Sequence, residues 1–280
     1  MKKNPESGIK IGVGTSVGIK QPVLFIGHGS PLNAIEDNAF TKTLRSIGKS
    51  IPSPEAVLVI SAHWLTNGTF VLGSSRPRTI YDFYGFPAEL YEVSYPAVGA
   101  PEIAEEVQKQ VTSVSIQWDE SWGLDHGAWT ILRHLFPKAD IPVFQLSIDY
   151  NRPLKYHYNL ARELQFLRNR NVLFIGSGNI VHNLRRVILS DKEAAVADWA
   201  VEFDLKIKQF LDERNHHNLL EYENIGTAAR LAVPEPSHYI PLIYAIGLQE
   251  RGDEIDYFYE KLEYGSLSMR SFIIQGAKHS

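Results

Sequence analysis

Three times in this chain an apolar, strand-like run breaks off into a turn of small residues that carries a histidine. The segments are VLFIGHGSP (23–31), LVISAHW (58–64) and FIGSGNIVHN (174–183). Short runs rich in Val, Ile, Leu and Phe suit strands buried on both faces, as in largely parallel sheets covered by helices. In open sheets of that kind, ligands bind beyond the carboxyl ends of the strands. Three imidazoles delivered there by three strands, those of His28, His63 and His182, are expected to converge on one metal ion. Gly27 and Gly29 flank His28; they let the backbone turn sharply and leave room for a ligand beside the ring.

Strand-like runs at 22–26, 56–62, 141–146 and 172–175 alternate with helical patterns at 101–111, 126–136, 152–170, 192–214 and 238–249. The segment 255–276 reads as a terminal hairpin, with Tyr264, Gly265 and Ser266 near its turn. This alternation predicts one α/β domain over residues 21–280, with a central mixed, largely parallel sheet flanked by helices on both faces. Residues 1–20 read as a flexible lead, with an edge strand at IKIGV (9–13) as the alternative. The stretch TIYDFYGFPAELYEVSYPAVGAP (79–101) has no clear period; irregular segments of that length are usually lids or binding loops.

Composition narrows the classes of function. There are 28 basic and 32 acidic residues, a net charge of −4, with no basic block to grip nucleic acid. No apolar run reaches the length of a membrane span or of a signal-peptide core, so a cytoplasmic protein is expected, with no obligate protein partner. Cysteine is absent, so any metal must be held by nitrogen and oxygen.

Ten histidines are present. His216, His217 and His279 sit in polar stretches and read as surface residues, and His134 and His157 read as structural residues within helices. His28, His63, His126, His182 and His238 remain. The set admits a zinc-dependent hydrolase as well as an oxygenase. A serine hydrolase would need G-x-S-x-G, and the chain offers only Gly176-Ser177-Gly178.

GHGSP (27–31), SAHW (61–64), IYDFYGFP (80–87), WGLDHGAW (122–129), SGNIVHNL (177–184), PSHYIPLIYAIG (236–247) and GSLSMRS (265–271) occur in that order. Together they resemble the DOPA 4,5-dioxygenase-like branch of the class III extradiol ring-cleavage dioxygenases. The resemblance implies O₂-dependent opening of a catechol ring, DOPA-like in this branch, to a semialdehyde acid. It implies one divalent metal: Fe(II) for activity, with redox-inert Zn(II) the occupant expected in a crystal. It assigns His28, His63 and His238 as ligands, His182 as a fourth ligand or an acid–base residue, and His126 as the second acid–base residue. Relatives in the wider superfamily complete the metal site with glutamate, which leaves Glu235 open as a ligand. Tyr81, Phe83, Tyr84 and Phe86 of the aromatic loop, Tyr84 and Phe86 foremost, and Tyr239 are the expected substrate contacts. Asp125 is a candidate to orient His126, and Asn183 a candidate helix cap.

Overall fold

Along Val23–Gly27 (β1) the side chains divide between two cores: Val23 and Phe25 enter one, Leu24 and Ile26 the other. The split follows from the two-residue period of a strand. It recurs in Ala56–Ser61 (β2), Val143–Gln145 (β3) and Val172–Gly178 (β4), where Leu58, Phe144 and Phe174 face one side and Val59, Val143 and Leu173 the other. Burial on both faces is why these runs show no polar alternation. Asp253–Tyr259 (β5) and Ser271–Gly276 (β6) complete a mixed sheet of order β5-β6-β1-β4-β2-β3. The last four strands in that order are mutually parallel, and β6 runs antiparallel to both β1 and β5.

This single α/β domain is a computed structural model describing residues 20–277. The expected lead, apart from Lys20, and His279 lie outside the described residues. The main helices are Ala39–Ser50 (α1), Pro101–Gln110 (α2), His126–Leu135 (α3), Leu154–Glu163 (α4), Asp198–Asp212 (α5) and Ile240–Gly247 (α6). Phe40 and Leu44 of α1 and Trp129 and Leu132 of α3 cover one face of the sheet. Helices α2, α4, α5 and α6 supply the core of the other. Among the described residues no helix is long and apolar enough to cross a membrane.

Two helical expectations need correcting. The pattern over 152–170 is not one helix: α4 ends at Glu163, and a short turn of helix, Phe166–Asn169, follows. Leu164, Gln165, Leu167 and Arg168 donate to carbonyls three residues back, which tightens the chain. Arg168, 1% exposed, then reaches the buried carboxylate of Asp253 at 2.5 Å. The pattern over 192–214 becomes helical only at Asp198. Upstream, the backbone bonds to the 264–265 turn instead, through Tyr264 N–H to the Lys192 carbonyl and Ala197 N–H to the Gly265 carbonyl, each at 2.9 Å. That turn closes the expected terminal hairpin, with Leu262 facing Ser268 and Glu263 facing Leu267.

The sheet register places the functional edge. Gly27 stands opposite Gly178, and Ser61 opposite Ser177, so the ends of β1, β4 and β2 lie level. Gly178 also admits a fourth contributor. A Cβ there would lie 2.2 Å from the His238 carbonyl oxygen, which instead accepts the Asn179 N–H at 2.9 Å. We expect Gly178→Ala to fold with a loss of about 1–3 kcal/mol, the usual cost of overpacking. Its metal affinity should fall alongside, because the backbone of His238 must retreat. Thermal melts paired with metal titration check this.

Candidate metal centre

Three imidazoles at this edge, those of His28, His238 and His63, each turn Nδ1 toward a protein group. His28 Nδ1 lies 3.0 Å from Ser177 Oγ. The Ser177 hydroxyl gives its own proton to the Gly127 carbonyl at 2.5 Å, so it must accept from His28 Nδ1–H. His238 repeats the pattern: its Nδ1 is 3.2 Å from Ser237 Oγ, whose proton goes to the carboxylate of Glu235. His63 Nδ1 lies 3.4 Å from Asp82 Oδ2. All three rings therefore carry their proton on Nδ1 and leave Nε2 as a lone pair.

Those lone pairs face one another. His63 Nε2 and His28 Nε2 are 3.2 Å apart, His238 Nε2 is buried with no partner among the described residues, and one nitrogen from each ring falls within 4.8 Å of the others. Two N–H groups could not meet this way, and two bare lone pairs repel. A cation between them resolves both problems, and neutral imidazole donors suit zinc, iron, copper or nickel. The residues thus fit a single divalent ion.

The remaining site residues are distributed unevenly. His126, the first residue of α3, has its ring centroid 3.9 Å from that of His63. His182 stacks flat on His238, centroids 3.5 Å apart and planes within 3°. His182 is not in the group His28, His63 and His238 whose nitrogens lie within 4.8 Å of one another among the described residues. Glu235 is exposed, accepts the Ser237 N–H at 3.0 Å and acts on His238 through that serine rather than as a donor to the ion.

Other expectations change. Gly29 has φ +66°, a conformation suited to glycine, but the space beside Gly27 and Gly29 is filled by Met269 rather than left for a ligand. Tyr239 is fully buried, packs on Tyr222 at 4.6 Å and donates its hydroxyl to the Leu219 carbonyl, so it belongs to the core and not to the site. Tyr84 is 92% exposed. Its neighbour Phe83 is the ring that meets His126, edge-on at 5.6 Å, with Phe86 packed on Phe83 at 5.3 Å. Asp125 does not orient His126. It caps α3 through the Ala128 N–H and accepts from Ser61 and Gln145. Asn183 caps a turn, accepting the Arg185 N–H, and ties it to the Leu231 carbonyl.

The carboxylate that does touch His126 is Asp82, which sequence reasoning missed. Its Oδ1 accepts the His126 backbone N–H at 2.9 Å, and its Oδ2 lies 3.0 Å from His126 Nδ1. The available signal was an acid inside the aromatic loop that resembles the family motif. Nothing in its spacing set it apart.

Burial, followed by the neighbouring imidazoles, holds His28 and His238 well below the usual histidine range. His63 is lowered by burial and by His126, against the pull of Asp82. Burial brings His182 and the distant His157 down to about 4. His28, His63, His182 and His238 are therefore held in the neutral form that a metal donor requires.

A neutral imidazole cluster at the carboxyl edge of a mostly parallel sheet, with an aromatic ring across it, defines a candidate mononuclear metalloenzyme. The family model described as the catalytic LigB subunit of aromatic ring-opening dioxygenase matches residues 22–267. The 4,5-DOPA dioxygenase extradiol of Escherichia coli (strain K12) is 40% identical over 256 residues, spanning 90% of this chain and 94% of that protein. The protein of the same name from Beta vulgaris is 37% identical over 267 residues, spanning 93% and 98%. A crystal structure of an uncharacterized protein from Escherichia coli K12 superposes with a TM-score of 0.80 at 37% identity, covering 91% of this chain and 100% of that one. The chain belongs to the LigB family of aromatic ring-opening dioxygenases and is an extradiol dioxygenase, which decides against the hydrolase.

The depressed histidines make stability depend on pH. Above ~6.5 they are neutral in both folded and unfolded chains. Below that, the unfolded chain takes up protons that the folded protein excludes, so stability falls with pH. For His157 and His182 the window runs down to about 4. We expect the metal-free protein to lose stability steadily between pH 6.5 and 4, by up to ~1.4 kcal/mol per pH unit for each such histidine. Urea unfolding at a series of pH values checks the sign.

Proposed function

We propose that this enzyme opens a DOPA-like catechol with O₂ at one divalent ion held by His28, His63 and His238, and that iron(II) is the active metal. The observation that carries the ligand assignment is the convergence of three Nε2 lone pairs whose Nδ1 partners are all committed. Bound there, iron(II) supplies the redox chemistry that brings dioxygen to the electron-rich ring. Zinc competes for imidazole sites and has no redox chemistry, so the zinc form is inactive.

The protein's own groups bind, orient and move protons. His126, beside His63, takes the proton of a catechol hydroxyl as it becomes a phenolate. His182, stacked on His238 and neutral at rest because of burial, takes up the proton of the second hydroxyl and, once protonated, returns it during ring opening. Phe83 and Phe86 wall the planar ring and exclude water, while exposed Tyr84 stands at the rim. Both oxygen atoms end in the product, a semialdehyde bearing a new carboxylate. The cytoplasm is the compartment we assign to this chemistry.

The test is ring opening of L-DOPA by protein loaded anaerobically with Fe(II) and then exposed to air, followed by the yellow colour of the semialdehyde. We expect activity with iron and none with zinc. His126→Gln and His182→Gln should each lower kcat by roughly 10²–10⁴-fold while retaining metal. Failure of the iron form with every catechol offered would overturn the proposal.

A further inference from the structure

Asp82 sits on a loop without regular structure, yet its carboxylate faces two of the imidazoles at this edge. Its two oxygens hold three groups from two elements. Oδ1 takes the backbone N–H of His126, one of the unsatisfied donors at the start of α3. Oδ2 faces both the Nδ1 of His126 at 3.0 Å and the Nδ1 of His63 at 3.4 Å. Among the described residues His126 Nδ1 meets no partner in hydrogen-bonding geometry, so its 3.0 Å approach to Oδ2 is an electrostatic contact that a small turn of the ring converts into a bond. A carboxylate oxygen has two lone pairs and can serve both rings. His28 and His238 are fixed by serine hydroxyls; His63 and His126 share this one acid.

We propose that Asp82 is a positioning residue that fixes His63 and His126 together in the Nδ1–H tautomer. One Nε2 is thereby aimed at the metal position and the other at the substrate. This rests on the ligand and acid–base roles assigned above. Because Phe83 follows in sequence and packs on His126, the same clamp registers the aromatic wall with the reacting centre. A carboxylate partner holding a metal-bound histidine is a recurrent arrangement whose loss weakens metal binding or activity roughly 10–100-fold. Here one carboxylate serves a ligand and a proton carrier, so its loss should affect both.

Asp82→Asn separates this role from loop anchoring. An amide oxygen turned to the rings sets an NH₂ against the His126 backbone N–H; turned the other way, it sets the NH₂ against both Nδ1–H groups. The readout is imidazole ¹H–¹⁵N NMR of the zinc-loaded protein, alongside kcat and KM of the iron form. In the wild type we expect both His63 and His126 as protected Nδ1–H. In Asp82→Asn both protons should exchange freely and His126 should populate Nε2–H, with zinc affinity 10–100-fold weaker. At saturating iron, kcat should fall by at least tenfold with KM within a few-fold. Thr79→Val, which removes the acceptor of the Tyr95 N–H at the start of the loop, should leave tautomers and kcat as they are.

Wild-type His126 found as Nε2–H would overturn the proposal whether or not any variant folds. So would an Asp82→Asn protein that keeps both Nδ1–H signals and kcat, or one whose losses are matched by Thr79→Val. A wild-type iron enzyme that opens no catechol counts instead against the proposed function, and leaves the tautomer result to stand or fall separately.

Discussion

Imidazoles buried edge to edge are tolerable only if the nitrogens that face each other are not all protonated. The surroundings of His28, His63 and His238 enforce that. Two serine hydroxyls, each with its own proton already given to a stronger acceptor, and one carboxylate leave Nδ1–H as the matching state for the three rings. The Nε2 lone pairs are then forced together out of water. A buried polar atom without a partner costs about 1–3 kcal/mol. That unfavourable arrangement is what a divalent ion relieves, so metal affinity and folding draw on the same contacts.

The rest of the fold serves this arrangement. The level register of β1, β4 and β2 brings two ligand-bearing turns and the His182 turn to one edge. Helix α3 begins at that edge, capped by buried Asp125, which burial and nearby Asp82 push above the usual carboxylate range. His126 is thereby placed by a helix terminus rather than by a flexible loop. His238 arrives on a short 3₁₀ turn, Pro236–His238, docked through its carbonyl onto the end of β4.

The sheet was legible because its central strands are apolar on both faces, and the edge site was legible because His28 and His63 follow such strands directly. His238 stayed among the five candidate histidines, but it lies on a 3₁₀ turn rather than at a strand end, and only the resemblance to the family marked it as a ligand. Tyr84 and Tyr239 were misjudged for a common reason. An aperiodic loop or a helix entry does not reveal which way a ring points, and Phe83 rather than Tyr84 turned inward. Asp125 was read as an orienting residue because it adjoins His126. Adjacent side chains diverge, and the carboxylate that meets His126 comes from 44 residues away. His182 kept two readings because spacing alone does not show how its ring lies, and the structure stacks it flat on His238.

The central claim is that one ion sits among the Nε2 atoms of His28, His63 and His238. Anomalous scattering at the zinc edge, from crystals of protein loaded with one equivalent of zinc, tests it most directly. The expected result is a single peak at about 2.0–2.1 Å from those three nitrogens. A peak held instead by His63, Asp82 and His126, the second such group of donors among the described residues, would contradict it, as would zinc bound elsewhere with the three rings left empty.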